Sequence, residues 1–273
     1  MLKRSFFSLT LFITLLTIQT TYAQLKIMTW NLQNVGQSKT DEHIQFIADI
    51  MKNADIIAIQ EIVTNPSGAK TVAKIHTELN TSSGVKWEYS LSDPTDSSPY
   101  RSERYAYFWK TSRVKLKTKA SLDTFHKDDI EREPYMATFT YKGKELTIFS
   151  FHALPKKHQP ETEIKYFKFY PDLYPDKNLI FTGDFNTPQT HTVFNPLKKL
   201  GYKPVFENQK TSLRQKCIND DCLASEYDNF FLSDSSFEII DFKPIYFFQS
   251  FEDIKDARKI SDHIPLLIEI IIK

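Results

Sequence analysis

Polar residues that can bind metal ions or transfer protons recur where apolar segments of this chain begin or end. Most of them follow an apolar segment and one Asp-His pair precedes the last segment; they are Asn31, Glu61, His152, Asp184, Asn186, Asp262 and His263. Strand ends and loops can converge on one edge of a fold. Together these side chains supply oxygen ligands and imidazoles, the set needed to bind Mg²⁺ and hydrolyse a phosphodiester.

Each of these residues also has a structural explanation when it is considered alone. Asn and Asp are common in turns, and a carboxylate after a strand is often a solvated helix cap. A single histidine after a strand is commonly a hydrogen-bonded structural residue. The whole set favours a catalytic site over these separate explanations.

Periodic apolar residues predict the elements that must position the site. Ile44, Ile47 and Ile50 share one face of a predicted helix. The predicted helices cover 41–52, the region around 72–79, 161–169 and a Pro-interrupted stretch around 190–200. The predicted strands cover 25–30, 55–60, 85–91, 104–109, 136–141, 146–151, 179–182, 227–232, 238–242 and 264–272.

The order of these elements predicts an α/β (α+β) fold in one domain over residues 24–273. A chain of 273 residues that is 41% hydrophobic can bury a substantial core. No Gly/Ser-rich linker, repeat or low-complexity segment divides it. Mixed strand and helix order with several hairpin spacings predicts two packed sheets flanked by helices.

Residues 1–23 have the pattern of a secretory signal peptide. Lys3 and Arg4 precede the short apolar stretch 6–18, and small residues end at Ala23. We expect cleavage after Ala23 and a secreted or periplasmic protein without stable membrane association. An uncleaved anchor is disfavoured, because hydroxyl residues interrupt a stretch shorter than the roughly 20 apolar residues of a spanning helix.

The charge balance gives little help in attracting polyanions. Removing two positive residues with the signal segment leaves 33 Lys and Arg against 34 Asp and Glu, a formal net charge of −1. Affinity for phosphate must therefore come from local groups and bound metal.

Cys217 and Cys222 are the two cysteines of the chain. They lie in a polar, loop-like stretch, and an exported protein meets oxidising conditions. We expect a local disulfide, since two thiols without a neighbouring Cys or His pair are too few for a structural zinc site.

The chain resembles the endonuclease/exonuclease/phosphatase superfamily, and within it most closely deoxyribonuclease I. The superfamily motifs are Met28-Thr29-Trp30-Asn31, Ile59-Gln60-Glu61, Gly183-Asp184-Phe185-Asn186 and Ser261-Asp262-His263-Ile264-Pro265. The narrower deoxyribonuclease-like motifs are Ser102-Glu103-Arg104-Tyr105, Arg132-Glu133-Pro134, His152-Ala153-Leu154-Pro155 and Tyr227-Asp228. The resemblance covers nearly the whole mature chain and implies a four-layer sandwich of two mixed β-sheets flanked by helices.

The resemblance also implies a metal site and a substrate. Glu61 would bind Mg²⁺ directly, with Asn31 and Asp262 beside it, and Mn²⁺ or Ca²⁺ could act in support. Arg132 matches a phosphate-contacting arginine, although an arginine beside a glutamate is also a routine surface ion pair. DNA is the implied substrate of a monomeric enzyme.

Two carboxylate-histidine pairs are implied by the same motifs. Glu103 would pair with His152, and Asp228 with His263, which fixes each imidazole and raises its proton affinity. Asp184 and either imidazole could deprotonate the attacking water, so the general base stays unassigned. The remaining predicted group is Asn186, a donor to the charged transition state together with His263 and the metal.

The sequence departs from the deoxyribonuclease pattern at two positions that contact the DNA minor groove. Val63 stands in place of an arginine and Arg101 in place of a tyrosine, with Tyr100 adjacent. The stretch 124–132 is also too short for the calcium-binding loop of the animal enzymes. Two alternatives follow: a phosphatase or sphingomyelinase-like phosphodiesterase of the same superfamily, and a binding module without turnover.

Overall fold

Two mixed β-sheets lie face to face, and helices cover both outer sides. The computed structural model describes residues 24–98 and 100–273, so the predicted signal segment 1–23 lies outside the described residues. The predicted four-layer architecture of two mixed sheets and flanking helices is confirmed.

The first sheet has six strands. They are β1 (Leu25–Val35), β2 (Ile56–Ile62), β3 (Trp87–Leu91), β4 (Arg104–Lys110), β14 (Phe237–Pro244) and β15 (Leu266–Ile272). Their order in the sheet is β14-β15-β1-β2-β4-β3. Only β1 and β2, at the centre, are parallel neighbours in this sheet.

The second sheet has seven strands. They are β5 (Val114–Leu116), β6 (Ser121–Leu122), β7 (Tyr135–Tyr141), β8 (Lys144–His152), β9 (Leu179–Asp184), β10 (Tyr202–Pro204) and β13 (Asp228–Ser233). The order is β10-β13-β9-β8-β7-β5, and β6 also pairs with β7. Its one parallel pair is β8 with β9, so each sheet has a parallel pair near its centre.

Aromatic side chains fill much of the space between the two sheets. Tyr107 stacks on Tyr135, and Phe139 packs edge-on against Tyr107. The Tyr107 hydroxyl lies within hydrogen-bond distance of the carbonyl oxygens of Tyr135 and Ile148 and donates its one proton there, which satisfies a polar group inside an apolar layer.

Helices cover the outer face of each sheet. Helices α1 (Asp41–Met51), α2 (Pro66–Ser83) and α6 (Ile254–Ile260) cover the six-stranded sheet, and α3 (Glu161–Ile164), α4 (Tyr170–Leu173) and α5 (Asn195–Lys199) cover the other. Short 3₁₀ turns occur at Lys156–His158, Lys165–Phe169, Thr192–Phe194 and Phe247–Ser250. None of the helices in the described residues combines the length and hydropathy of a bilayer-crossing segment.

Several features differ from or extend the sequence prediction. The predicted helix 161–169 is α3 followed by a 3₁₀ turn, and α4 begins directly after it at Tyr170, with Pro171 in its first turn. Helix α6 and the hairpin of β11 (Leu213–Ile218) and β12 (Asp221–Leu223) lacked a sequence prediction. The predicted disulfide between Cys217 and Cys222 is confirmed and lies in this hairpin.

Gly183 in β9 offers a sharp test of how closely the central strands approach. Its φ is +127°, and an added Cβ would lie 2.0 Å from the carbonyl oxygen of Phe151 in β8. We predict that Gly183→Ala lowers the free energy of unfolding by about 3 kcal/mol or more, measured by urea denaturation. Gly143→Ala is the control, because Gly143 also has a positive φ but nothing within 4 Å of the added Cβ. Its expected cost is about 1 kcal/mol, and equal costs would contradict the steric argument.

Candidate active site

The two parallel strand pairs end at the same cleft. Asn31 lies in β1, Glu61 in β2, His152 at the end of β8 and Asp184 at the end of β9. Ligand sites in open sheets form at the carboxyl ends of parallel strands, which explains why these side chains meet. Asp228 joins them because β13 starts antiparallel to β9, directly opposite Asp184.

The cleft has a volume of about 470 Å³. Its walls include most of the predicted site residues, namely Glu61, Glu103, Arg132, His152, Asp184, Asn186, Asp262 and His263. Asn31 and Asp228 are buried behind this lining and bond to it. All the predicted catalytic and metal residues are therefore brought to one place.

Left-handed backbone conformations shape the rim of the cleft. Four non-glycine residues there have φ between 40° and 61°: Gln33, Asn34, Asn186 and Glu61. The register of β1 against β2, and of β2 against β4, shifts beside three of them. Such bulges redirect side chains, and their strain of order 1–3 kcal/mol per residue is typical of functional sites.

Asp184 lies at the centre of the hydrogen-bond network. It is 1% exposed, and its carboxylate accepts hydrogen bonds from Asn31 Nδ2 at 3.0 Å and from the Asn186 amide at 2.8 Å. The Nε2 atoms of His152 and His263 lie 3.5 Å and 3.6 Å from its Oδ2. Burial would raise the pKa of Asp184, but the two imidazoles and the amide donors hold it below its usual range.

Each predicted histidine is bound to its predicted carboxylate. His152 Nδ1 lies 2.8 Å from Glu103 Oε2, and His263 Nδ1 lies 2.6 Å from Asp228 Oδ2. Burial alone would lower the pKa of both imidazoles, but the carboxylates outweigh it and the pKa of each is raised, for His263 well above the usual value. Both Nε2 atoms therefore face Asp184 in a state that favours protonation.

Glu61 and Asp262 present carboxylate oxygens at the rim. Their side chains are 23% and 24% exposed. Asn31 Nδ2 donates to Glu61 Oε1 at 3.0 Å, and Gln33 Nε2 donates to Asp262 Oδ2 at 2.8 Å. Accessible carboxylate oxygens of this kind suit a hard, hydrated divalent cation.

A second group of possible ligands lies deeper. Asp184, Asp228 and His263 each offer one ligand atom within 4.8 Å of the others. However, the hydrogen bond between Asp228 and His263 already occupies Nδ1 of this imidazole. The geometry therefore favours the rim carboxylates as the place for an ion and the deeper group as a proton-holding network.

Arg132 is buried against the His152 pair rather than placed on the surface. One guanidinium nitrogen lies 3.0 Å from His152 Nδ1 and 3.4 Å from Glu103 Oε2, and Nε donates to the carbonyl oxygen of Arg101. Its neighbour Glu133 instead accepts the backbone amide of Asp96. A local ion pair with Glu133 therefore does not explain Arg132.

Two buried charged residues support the site and were absent from the sequence prediction. Glu163, 2% exposed, accepts the backbone amides of Glu131 and Arg132 on one oxygen and that of Leu154 on the other. It thereby ties the Arg132 loop to the segment after His152. The second residue is Lys39. Neither Glu163 nor Lys39 directly follows a strand end, so the pattern of strand ends gave no signal for them.

Lys39 anchors the segment that carries Asp262. Its ammonium group donates to the carbonyl oxygens of Lys259 and Ile260 at the end of α6. Burial lowers the pKa of Lys39 to about 8, against the opposing influence of the Glu61 and Asp262 carboxylates. This lysine fixes the helix end from which Ser261-Asp262-His263 continues.

The two positions that depart from the deoxyribonuclease pattern lie at the mouth of the cleft. Arg101 forms two hydrogen bonds with Glu131, at 3.1 Å and 2.9 Å, and Tyr100 is fully exposed. Val63 lines the same mouth. The arginine is therefore held in an ion pair with Glu131.

The family model described as the Endonuclease/Exonuclease/phosphatase family matches residues 28–263. The chain belongs to this family. Hydrolysis of phosphate esters is therefore the chemistry expected of the cleft. The match includes every residue placed in the cleft above, from Asn31 to His263.

Two deoxyribonucleases are among the similar proteins. Deoxyribonuclease-1 of Oryctolagus cuniculus is 25% identical over 204 residues, which cover 67% of this chain and 68% of that protein. Deoxyribonuclease-1-like 1 of Sus scrofa is 26% identical over 168 residues, covering 59% of this chain and about half, 52%, of that protein.

Solved structures of the Endonuclease/Exonuclease/phosphatase type share the fold at lower identity. The human Nocturnin catalytic domain has a TM-score of 0.64 at 15% identity, and the match covers 92% of this chain and 95% of the Nocturnin chain. The mannosyl-6-phosphatase of Bacteroides thetaiotaomicron has a TM-score of 0.63 at 19% identity, and the match covers 90% of this chain and 99% of the phosphatase chain. At these identities the likeness concerns the fold alone.

The pairing of His263 with Asp228 predicts a measurable pH effect. Because the folded pKa of His263 lies above 6.5, the protonated imidazole stabilises the fold below pH 6.5 and this contribution is lost as pH rises through the raised pKa. We predict that Asp228→Asn lowers the pKa of His263, measured from its ring proton signals by NMR titration. Asp241→Asn, at an exposed position of β14, should leave the titration unchanged. An unaltered His263 pKa in Asp228→Asn would refute the assigned pairing.

Proposed function

We propose that this chain is a secreted, Mg²⁺-dependent endonuclease that hydrolyses phosphodiester bonds of DNA. The observation that carries the proposal is the pair of imidazoles, each bound through Nδ1 to a buried carboxylate, whose Nε2 atoms approach Asp184 at 3.5 Å and 3.6 Å. Family membership supports phosphate ester hydrolysis, and the two deoxyribonuclease relatives support DNA as the substrate. The disulfide supports an oxidising location.

Glu61 and Asp262 are the proposed ligands of Mg²⁺, with Asn31 beside them. The donor set fits, because both carboxylates have exposed oxygens on one cleft. Asn31 Nδ2 donates to Glu61 Oε1, so Asn31 would hold this ligand in place beside the ion. A bound Mg²⁺ would supply positive charge to the phosphate oxygens.

Asp184 and the two imidazoles divide the proton transfers between them. Asp184 stays charged, so it can orient the attacking water and accept its proton. The raised pKa values of His152 and His263 favour the protonated form of both imidazoles, which suits donation to the phosphate or to the leaving oxygen. This division favours Asp184 as the base among the candidates that the sequence left open.

Asn186 and Arg132 complete the proposed transition-state contacts. Asn186 holds its left-handed conformation while its side chain amide donates to the carbonyl oxygen of Ala153, which fixes it beside the cleft. Arg132 adds a buried positive charge next to His152. Removing one such donor typically costs a rate factor of about 10²–10³.

Nicking of supercoiled plasmid by the mature protein tests this function. We predict that His152→Ala and His263→Ala each lower the rate by roughly 10²–10⁴, since each removes a group that holds or transfers a proton. A chelator should abolish nicking, and added Mg²⁺ should restore it. His43→Ala is the matched control, because His43 lies on the outer helix α1.

A sphingomyelin assay under the same conditions separates the proposal from its main alternative. Turnover of lipid without nicking would assign the chain to a sphingomyelinase-like branch. Nicking that persists in chelator, or in both histidine variants, would refute the proposed mechanism.

A further inference from the structure

The hairpin formed by β11 and β12, Leu213–Leu223, stands apart from both large sheets. Its two strands form a sheet of their own, paired at Leu213 with Leu223 and at Ile218 with Asp221. We name this segment the cleft hairpin. A two-stranded hairpin is only marginally stable in water, so its position here depends on additional links.

The base of the cleft hairpin is bonded to the backbone that presents the site. The Leu213 amide donates to the carbonyl oxygen of Asp262 at 2.6 Å, and Ser212 forms a β-bridge with His263. The Arg258 guanidinium donates to the Leu213 carbonyl oxygen at 2.5 Å. The hairpin therefore begins at a fixed position beside Asp262 and His263.

Beyond its base, the hairpin lies along one side of the cleft and is exposed to solvent. Leu213 and Gln215 line the cleft, as expected for alternate residues on one face of a strand. The residues from Gln215 to Asp220 are exposed. Gln215 thus offers a free carboxamide to whatever extends from the cleft along this wall.

The cleft hairpin carries two basic and two acidic residues. They are Arg214, Lys216, Asp220 and Asp221. Asp221 pairs with Lys210 at 2.8 Å and with Arg214 at 3.5 Å, whereas Lys216 is exposed. Lys216 is therefore an exposed cation directly beside Gln215 in the hairpin.

The disulfide between Cys217 and Cys222 joins the two strands near the tip. It links them across the turn at Asn219 and Asp220, both of which have left-handed backbone conformations. A covalent link at this place reduces the number of conformations of the exposed half before any ligand binds. The hairpin therefore loses less conformational entropy when a ligand binds to it.

We propose that the cleft hairpin is a nucleic-acid contact, a preorganised wall along which the DNA strand runs beyond the scissile phosphate. Gln215 hydrogen-bonds to this strand, the exposed ammonium group of Lys216 attracts its phosphates, and the disulfide holds the wall in place. This inference rests on the proposed function and adds to it a substrate-length requirement. A small phosphodiester held at the Asp184 end of the cleft does not extend along the exposed half of the hairpin beyond Gln215.

Steady-state kinetics on two substrates test the proposal. The substrates are duplex DNA and bis(p-nitrophenyl) phosphate, and the variants are Lys216→Ala and the double change Cys217→Ser with Cys222→Ser. We expect KM for DNA to rise roughly two- to tenfold in each variant, as loss of about one hydrogen bond implies. Turnover of the small diester should stay within about twofold of wild type, because its contacts are unaltered. Lys243→Ala, at an exposed lysine of β14 outside the cleft lining, is the matched control.

The outcomes separate the two proposals. Equal KM values for DNA in wild type and variants, or equal losses on both substrates, would overturn the role of the hairpin, since the second result shows a structural effect on the cleft. A wild-type protein that hydrolyses the small diester but leaves DNA intact would overturn the proposed endonuclease activity itself.

Discussion

The buried carboxylate of Asp184 is the constraint on which the rest of the site depends. An anion that is 1% exposed is costly unless several donors compensate it. Its compensation comes from both sheets, because Asn31 belongs to the first sheet and His152 to the second. A third compensating group, the imidazole of His263, comes from the segment that precedes β15. The two sheets must therefore pack in one relative position for this charge to be tolerated, so the site and the core specify each other.

Positive charge is distributed unevenly over the carboxylates of the cleft. The buried residues Glu103 and Asp228 each have an imidazole within 2.8 Å. Glu61 and Asp262, at the rim, have neutral donors at closer range than their cationic neighbours, which lie 3.8 Å and 3.4 Å away. The least compensated negative charge thus lies where solvent can reach it. A divalent cation would find its most favourable position at this rim, whereas the deeper carboxylates serve to hold protons.

The strands that carry the site could be predicted because their burial produces long apolar runs, as in β2 and β9, and the polar residue that ends each run was visible. The cleft hairpin and α6 escaped prediction for the opposite reason. Most of β11 is exposed, and α6 has only seven residues, fewer than the roughly 11–18 over which a helical period can be recognised. Glu163 and Lys39 bind backbone groups, and such contacts leave no spacing of side chains in the sequence. Tertiary structure alone brings them to the site.

Backbone strain at the rim shows how the fold and the site are balanced. Glu61 belongs to a strand of strong β-formers, and local preference alone would keep it extended, with its side chain in the pleat. Instead its φ is +61°, and its amide lies 3.4 Å from Glu103 Oε1 while its carboxylate accepts Asn31. Local strain of order 1–3 kcal/mol is sustained because these bonds join it to the Asp184 network. The same network that makes a buried anion tolerable therefore also holds the rim carboxylate in its strained orientation, and neither feature would persist without the other.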